Sequence, residues 1–314
     1  MARLRDRLLA HGSLVDDLRS TLDEGAAATF LFAGPAGVGK KFAAMCLAQS
    51  LLCETSAEGC GHCGSCLRVE SGAHESLRLV SPEGAQIKTD QAREIVEFLQ
   101  LRTWGKFRII IFDGAQALNP QAANSLLKAL EEPPPGTIFI LLAPSPSAVL
   151  PTLRSRARAV LFRPLREEEM TRLLAAPSWA LRAARGSLER LNKLLDPAET
   201  EARLEAAAVL TALIETPTFL LENFWREALK EKGKLHGWIP LWMSLLRDAW
   251  AIQAGGEKHI INTDLRRQLE GVAKASRSTM ERLLIDLQNL EQELRFNRDP
   301  QLAIEQLWSK VHHP

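Results

Sequence analysis

Residues 31–41 read LFAGPAGVGKK, a short apolar strand followed by a glycine-rich turn and the start of a helical pattern. Gly34 and Gly39 stand at the spacing of the phosphate-binding loop G-x-x-x-x-G-K, with Gly37 between them and Lys40 in place. In such a loop the glycines let backbone N–H groups turn toward phosphate oxygens, and the lysine reaches the terminal phosphates. The stretch therefore predicts a nucleotide-type α/β domain, with a chance glycine-rich turn as the alternative.

Two parts of the ATP-hydrolysis apparatus are missing from this sequence. After the loop lysine an active ATPase carries a Ser or Thr hydroxyl for Mg²⁺, and here the residue is Lys41, whose ammonium repels a metal cation. Residues 108–113, RIIIFD, form an apolar strand ending in Asp113, where a Walker B motif has its magnesium-binding acid. Gly114 then replaces the catalytic Glu and cannot take a proton. We therefore expect no ATP hydrolysis, while weak nucleotide binding stays an open alternative.

Four of the five cysteines form a cluster with the spacing C-x6-C-x2-C-x2-C, namely Cys53, Cys60, Cys63 and Cys66. Four thiolates this close in sequence suit tetrahedral Zn²⁺, and Gly59, Gly61 and Gly64 are expected to form the tight turns that aim the sulfurs. A redox pair and an iron–sulfur cluster are the alternatives, but two overlapping C-x-x-C pairs would be unusual for thiol exchange. We expect one structural zinc that holds a small insertion, and a buried apolar role for Cys46.

Composition and charge narrow the function classes. The chain of 314 residues is long enough for two or three domains, and a net charge of +1 with a pI near 7.7 argues against a strongly basic nucleic-acid surface. No segment reaches the apolar length of a membrane span, and no apolar stretch typical of a secretory signal follows the basic amino terminus. We therefore expect a cytoplasmic protein, in which clustered thiols hold metal rather than disulfides.

Apolar periodicity predicts alternating strands and helices over the first half of the chain. The predicted strands are Ala27–Ala33, Leu77–Val80, Arg108–Phe112, Thr137–Leu142 and Ala159–Phe162. The predicted helices are Leu14–Leu22, Phe42–Cys53, Asp90–Leu101 and Pro120–Leu130. Strands that alternate with helices indicate a parallel sheet, and apolar runs without period-two alternation are typical of strands buried on both faces. Beyond Pro164 the pattern is helical throughout.

Four further stretches carry a family resemblance. They are IKTDQAR at 87–93, NSLLKALEEPP at 124–134, LRSR at 153–156 and NRDPQLAIEQL at 297–307. Together with the cysteine cluster directly behind the loop helix, they resemble bacterial clamp-loader subunits of the AAA+ class, and among them the delta-prime family of DNA polymerase III. The resemblance covers most of the chain. It implies an AAA+ P-loop parallel-sheet domain with a zinc-binding insertion, followed by a helical lid and an all-α collar.

The sequence also departs from the family pattern. The Ser-Arg-Cys motif reads Ser-Arg-Ala here, so Ala157 replaces the cysteine while Arg156 remains. Ala143 stands where the first sensor is usually a Thr, and Glu189 stands where active gamma/tau relatives carry a second sensor arginine, with Arg190 adjacent. Each departure at a nucleotide-contacting position favours a subunit that does not hydrolyse ATP.

The resemblance implies three domains and a set of partners. Residues 1–165 would form the AAA+ domain with the zinc module at 53–66, residues 166–205 the lid, and residues 206–314 an oligomerisation collar. The partners implied are gamma/tau and delta subunits in a heteropentamer, which loads the sliding clamp onto primer-template DNA. Arg156 is implied as an arginine finger, supplied in trans to a neighbouring ATPase subunit.

Two other functions are less consistent with this sequence. A gamma/tau-type ATPase would need the metal-binding hydroxyl and the catalytic acid that Lys41 and Gly114 replace. A stand-alone zinc and DNA-binding module would need a basic, aromatic-rich stripe, and the balanced charge argues against one. For Arg156 itself, an ordinary surface or ion-paired arginine stays the alternative, since Arg154 and Arg158 lie close by.

Overall fold

A computed structural model of the chain describes residues 3–23, 25–101, 105–231, 233–294 and 298–313. The chain separates into two compact units, one made of Met1–Ala175 with Arg185–Arg190 and the other of Ala176–Ala184 with Leu191–Pro314. The residues expected to form the lid, 166–205, are shared between these units, and the division into three domains stays a prediction. Asn297, in the last stretch of the family resemblance, lies outside the described residues.

The first unit contains one five-stranded parallel sheet, as predicted. Its strands are β1 Ala28–Ala33, β2 Leu77–Val80, β3 Arg108–Asp113, β4 Thr137–Ala143 and β5 Arg158–Leu161. The order across the sheet is β2-β3-β4-β1-β5. The central strands are apolar without alternation because both faces are covered, each by its own buried cluster of side chains.

Strand register brings the two nucleotide motifs to the same edge of the sheet. Ala33 pairs with Ala143, and Asp113 pairs with Leu142. All five strands are parallel, so their carboxyl ends meet at this edge, which is where ligands bind in open α/β sheets. The phosphate loop after β1 and the acid at the end of β3 therefore face the same space.

Eight helices of the first unit lie among the described residues. They are α1 Leu4–Arg7, α2 Gly12–Ser20, α3 Lys40–Leu52, α4 Gly64–Glu70, α5 Thr89–Gln100, α6 Pro120–Glu131, α7 Pro151–Arg154 and α8 Glu167–Leu173. Helix α3 begins two residues before the predicted Phe42 because the loop supplies its first turn: Gly39 is left-handed and its carbonyl accepts the Ala43 N–H at 2.8 Å. Asn119 caps α6 through its side chain, which accepts the Ala122 N–H at 2.7 Å.

The described residues of the second unit form helices joined by turns and contain no strand, as the pattern beyond Pro164 predicts. Its helices are α9 Ser178–Ala184, α10 Leu188–Leu194 (which begins in the first unit), α11 Pro197–Glu215, α12 Phe224–Ala228, α13 Lys234–Gln253, α14 Arg266–Val272, α15 Arg277–Glu293 and α16 Pro300–His312. Trp225 and Trp242 are fully buried in its core, each with its indole N–H donated to a backbone carbonyl. Among the described helices, none has the length and hydropathy of a membrane span.

Candidate functional site

A cavity of about 750 Å³ lies at the carboxyl edge of the sheet, beside the phosphate loop. Four residues predicted to bind nucleotide line it, namely Gly37, Gly39, Lys40 and Asp113. Gly34 does not line the cavity, but it is needed nearby: a Cβ there would lie 2.3 Å from the carbonyl oxygen of Phe162. The sequence motif and the cavity therefore coincide, with Gly34 serving the close approach of two backbone segments.

The loop is also packed against a distant segment, residues 187–189. Gly37 has a φ of +71°, and a Cβ there would lie 2.3 Å from Ser187 Oγ and 2.8 Å from Glu189 Cβ. The backbone N–H of Leu188 donates to the Gly37 carbonyl at 2.9 Å. This packing brings the carboxylate-bearing residue Glu189 to the wall of the cavity, where the sequence had suggested an acid in place of a sensor arginine.

Lys40 is satisfied by its own loop. Its Nζ donates to the carbonyl oxygens of Gly34 and Pro35, both at 2.6 Å. Burial lowers the pKa of Lys40, and the carboxylates of Asp113 and Glu189 partly oppose this shift. The lysine that normally reaches for phosphate thus lies against neutral carbonyls, with two acidic groups near it.

Lys41 replaces the hydroxyl that binds magnesium in an active ATPase, and Asp113 retains the acid that binds it. The two side chains are in direct contact. The Nζ of Lys41 lies 3.0 Å from Oδ2 of Asp113. An ammonium therefore neutralises the carboxylate that would bind magnesium in an active ATPase. Gly114, in a left-handed turn with φ of +101°, and Ala143 complete this side of the cavity, and neither can bind metal or accept a proton through its side chain.

The four clustered cysteines are reduced and converge on one point. Their sulfurs all lie within 4.8 Å of one another, with the Cys53–Cys63 and Cys60–Cys66 pairs both at 3.9 Å. Four sulfurs about 2.3 Å from a central Zn²⁺ would be separated by roughly 3.8 Å in a regular tetrahedron. The donor set and its spacing therefore fit a tetrahedral thiolate-bound metal ion.

Backbone N–H groups support the charge on these sulfurs. Those of Cys60, Cys63 and Cys66 donate to the sulfurs of Cys53, Cys60 and Cys63 at 3.3, 3.3 and 3.4 Å. Hydrogen bonds, first from the Thr55 side chain and then from the His62 backbone, lower the pKa of Cys60 to about 5. Burial raises the pKa of Cys66, so that binding a cation there must displace a proton.

Local structure differs from the sequence expectation at one glycine of this cluster. Gly59 and Gly61 have φ of +79° and +76° and form the expected tight turns. Gly64 does not form one: it is the first residue of α4, a helix absent from the predicted elements. Cys63 caps that helix through its sulfur, so the helix start itself places Cys63 and Cys66.

A buried chain of hydrogen bonds through His74 and Ser65 lies beside the cysteine cluster and was not predicted from the sequence. The Ser76 N–H donates to Nδ1 of His74 at 3.0 Å, so Nε2 carries the proton and donates to Ser65 Oγ at 2.9 Å. Ser65 in turn donates to the carbonyl of Leu52 at 2.5 Å. The chain fixes the end of α3 beside Cys53, and a lone His and Ser near a cysteine motif give no sequence signal for it.

Arg156 lies between α7 and β5 and is paired within its own chain. Its Nε donates to Glu131 Oε1 at 2.7 Å, and Nη2 donates to the same oxygen. Nη1 donates to the Thr152 carbonyl at 2.8 Å. The side chain is 30% exposed, so the arginine is ion-paired and still reachable from solvent.

The phosphate loop after β1, the acid at the end of β3 and the strand order define a P-loop protein of the AAA+ class. The family model described as "DNA polymerase III, delta subunit" matches residues 10–166. The DNA polymerase III subunit delta' of Bacillus subtilis is 31% identical over 253 residues, which make up 77% of each protein. The chain therefore belongs to the delta-prime family of DNA polymerase III clamp-loader subunits, as the resemblance implied.

Two further similarities are more limited. DNA polymerase III subunit gamma/tau of Mycobacterium tuberculosis is 37% identical over 150 residues, which cover 46% of this chain and 26% of that protein. A crystal structure of a DNA polymerase III gamma subunit-related protein from Thermotoga maritima covers 95% of this chain and 98% of its own, with a TM-score of 0.51 and 16% identity. At that identity the likeness concerns the fold alone.

Proposed function

We propose that this chain is a non-hydrolysing subunit of a clamp loader. It would assemble with gamma/tau and delta subunits in a heteropentamer that loads a sliding clamp onto primer-template DNA in the cytoplasm. Membership of the delta-prime family supports a place in DNA polymerase III, and the similarity to a gamma/tau subunit supports related neighbours in one complex. Residues 166–205 as a lid and 206–314 as the oligomerising collar belong to the same proposal.

The observation that carries the non-hydrolysing role is the 3.0 Å ion pair between Lys41 and Asp113. In an active P-loop ATPase a magnesium ion is held at these two positions and neutralises the phosphates. Here the carboxylate is already neutralised, and no hydroxyl is available at position 41 to bind the metal. Glu189 on the cavity wall adds a negative charge that opposes a triphosphate, and Gly114 supplies no base.

The proposed role of the cysteine cluster is structural. One Zn²⁺ bound by Cys53, Cys60, Cys63 and Cys66 would hold the segment between α3 and α4, which is too short to have its own core. The near-tetrahedral spacing of the sulfurs and the N–H donors to three of them support this role. The cluster lies at the far end of α3 from the phosphate loop, so the metal would take no part in nucleotide chemistry.

The proposed catalytic contribution of the chain is Arg156, acting in trans on ATP held by a neighbouring subunit. A guanidinium offers planar, permanently charged donors to the charge that spreads over a transferring phosphoryl group. Such fingers contribute on the order of 10³–10⁵ in rate at the site that they complete. Two observations support this role. Arg156 is partly exposed, and the Lys41–Asp113 ion pair occupies the metal positions of this chain's own nucleotide-type cavity.

The test compares single variants in a reconstituted clamp loader. Arg156→Ala should assemble normally and lower DNA-stimulated ATP hydrolysis and clamp loading, although only partly, since other subunits would supply their own fingers. Arg156→Lys should restore little, because a point charge lacks the planar fork. Arg158→Ala, an exposed arginine two residues away, is the matched control.

Lys40→Ala tests the other half of the proposal. It removes the loop lysine from a site proposed to be idle, so the assembled loader should hydrolyse ATP and load clamps at nearly the parental rate. The isolated chain should show no ATPase activity with or without primed DNA. A large loss with Lys40→Ala would mean that this site turns over ATP, and parental rates with Arg156→Ala would refute the finger.

A further inference from the structure

Glu131, the last residue of α6, is the one acidic partner of Arg156 among the described residues. A single oxygen, Oε1, accepts from both Nε and Nη2 of the guanidinium, which are the two donors on one edge of its plane. Nη1 donates to the Thr152 carbonyl at 2.8 Å and lies 3.2 Å from Ser155 Oγ. Two separate elements, α6 and α7, therefore hold the plane of the guanidinium.

These contacts do not use every donor of the arginine. The guanidinium has five N–H groups, of which Glu131 takes the Nε and one Nη2 hydrogen. The second N–H of Nη2 has no partner within the part of the chain that the structure describes. Because Arg156 and Glu131 are 30% and 49% exposed, this distal donor is open to an oxygen atom that approaches from outside.

We infer that Glu131 is the positioning residue for Arg156, holding its guanidinium ready for the phosphoryl oxygens of a nucleotide bound by a neighbouring subunit. The inference rests on the proposed function of Arg156. A long side chain that is ordered before binding loses less rotamer freedom when the phosphate arrives, and its free Nη2 donor is already aligned. Glu131 thus acts on the reaction through Arg156 and touches neither substrate nor metal.

The experiment uses the reconstituted complex with variants at position 131. Glu131→Ala should lower the kcat of DNA-stimulated ATP hydrolysis at the site that Arg156 completes by roughly threefold to tenfold, the range expected for freeing one immobilised side chain. The KM for ATP should stay unchanged, because binding of the nucleotide by its own subunit is not affected. Glu131→Gln keeps an oxygen acceptor without the charge and should restore part of the loss. Glu132→Ala, at the adjacent exposed position, is the matched control.

A double variant distinguishes this inference from the proposal beneath it. If Glu131 acts through Arg156, adding Glu131→Ala to Arg156→Ala should cause no further loss of kcat. Parental rates with Glu131→Ala beside reduced rates with Arg156→Ala would overturn the positioning role and leave the finger intact. A faster rate with Glu131→Ala would mean that the carboxylate restrains the arginine, and would also overturn it. Parental rates with Arg156→Ala would refute the finger itself.

Folding is checked separately, so that a loss of structure is not read as a loss of positioning. The pair is partly exposed, and Glu131→Ala should leave the thermal unfolding of the isolated chain and the size of the assembled complex nearly unchanged. In the isolated protein the Arg156 Nε–H signal in ¹⁵N NMR should be resolved with Glu131 and broadened in Glu131→Ala. An unchanged signal would show that the ion pair does not form in solution, and would overturn the inference.

Discussion

Helix α3 has a different site at each end, and the two sites differ in how their charge is balanced. At its start, Lys41 faces Asp113 at 3.0 Å and Lys40 lies against loop carbonyls, so the phosphate loop is satisfied by its own chain. At its end, four sulfurs lie within 4.8 Å of one another and three of them accept backbone N–H hydrogen bonds, an arrangement that favours negative charge. An ion pair within the chain can thus balance the charge of a phosphate-loop site, whereas converging sulfurs without such a partner favour an external cation.

The largest effect is expected at the cysteine cluster. Cys63→Ser removes one of the four sulfurs but keeps a side chain that can cap α4, so zinc measured by elemental analysis should fall from about one per chain to nearly none. Melting should occur roughly 5–10 °C lower, which corresponds to a loss of about 2–3 kcal/mol in a domain of this size. The sheet should remain folded, because its core does not include the insertion. Cys46→Ala is the control and should keep its zinc; a parental protein purified without chelator and free of zinc would contradict the prediction.

Thiol reactivity should separate the cluster from the remaining cysteine. Burial raises the pKa of Cys46 to about 12, so at neutral pH this thiol stays protonated and unreactive. Chelation removes the metal proposed to hold the insertion, so at pH 7 the four cluster thiols, including the otherwise buried Cys66, should react quickly with a chromogenic thiol reagent, and a fifth thiol should react only after unfolding. Without chelation the count should be close to zero, since a bound metal protects its ligands. Fast labelling of Cys46 in the folded protein would show that its surroundings are open.

Packing of the phosphate loop against residues 187–189 is tested by two glycine variants. Both Gly37 and Gly39 have positive φ, so an alanine at either costs about 1–2 kcal/mol. A Cβ at Gly37 would also collide with Ser187 and Glu189, whereas Gly39 faces open space. Urea unfolding should therefore show that Gly37→Ala is less stable than Gly39→Ala by roughly 1–2 kcal/mol. Equal losses for the two variants would mean that the loop does not meet this segment in solution.

The smallest effect on stability is expected at the ion pair between Lys41 and Asp113. Lys41 and Asp113 are 49% and 36% exposed, so Lys41→Thr should change the free energy of unfolding by less than about 1 kcal/mol. The same change restores a hydroxyl beside a freed carboxylate, and binding of a fluorescent ADP analogue should become tighter with Mg²⁺ than without it. Lys41→Ala frees the carboxylate without supplying the hydroxyl and is the matched control. Equal magnesium dependence in the two variants would show that position 41 does not decide metal binding.

Local sequence patterns predicted the strands of the first unit closely, whereas the short helices α1, α4 and α7 were not predicted. The four strands from Leu77 onward fall within one residue of their predicted bounds, because long apolar runs bounded by turns leave little freedom for buried strands. The cysteine spacing likewise predicted that the four sulfurs converge, since all four cysteines lie on one short segment. Helix α4 was missed because seven residues among glycines and cysteines have no clear helical period.

Contacts between distant residues could not be read from the chain. The pairing of Glu131 with Arg156 depends on the end of α6 meeting the turn after α7, and neither residue type signals the other. The approach of Glu189 to the phosphate loop depends on packing of residues 187–189 against Gly37. The family resemblance predicted that Glu189 stands at the position of a sensor arginine, but the sequence could not show which groups its carboxylate lies near.

The sequence by itself determined the parallel sheet, the phosphate loop with its missing hydroxyl, and the four clustered cysteines, because each depends on residues a few positions apart. Only the tertiary structure decided that Lys41, which replaces the metal-binding hydroxyl, neutralises the carboxylate of Asp113. Lys41 follows β1 and Asp113 ends β3, and β4 lies between those strands in the sheet. The pair exists because parallel strands end at one edge, where residues far apart in the chain become neighbours.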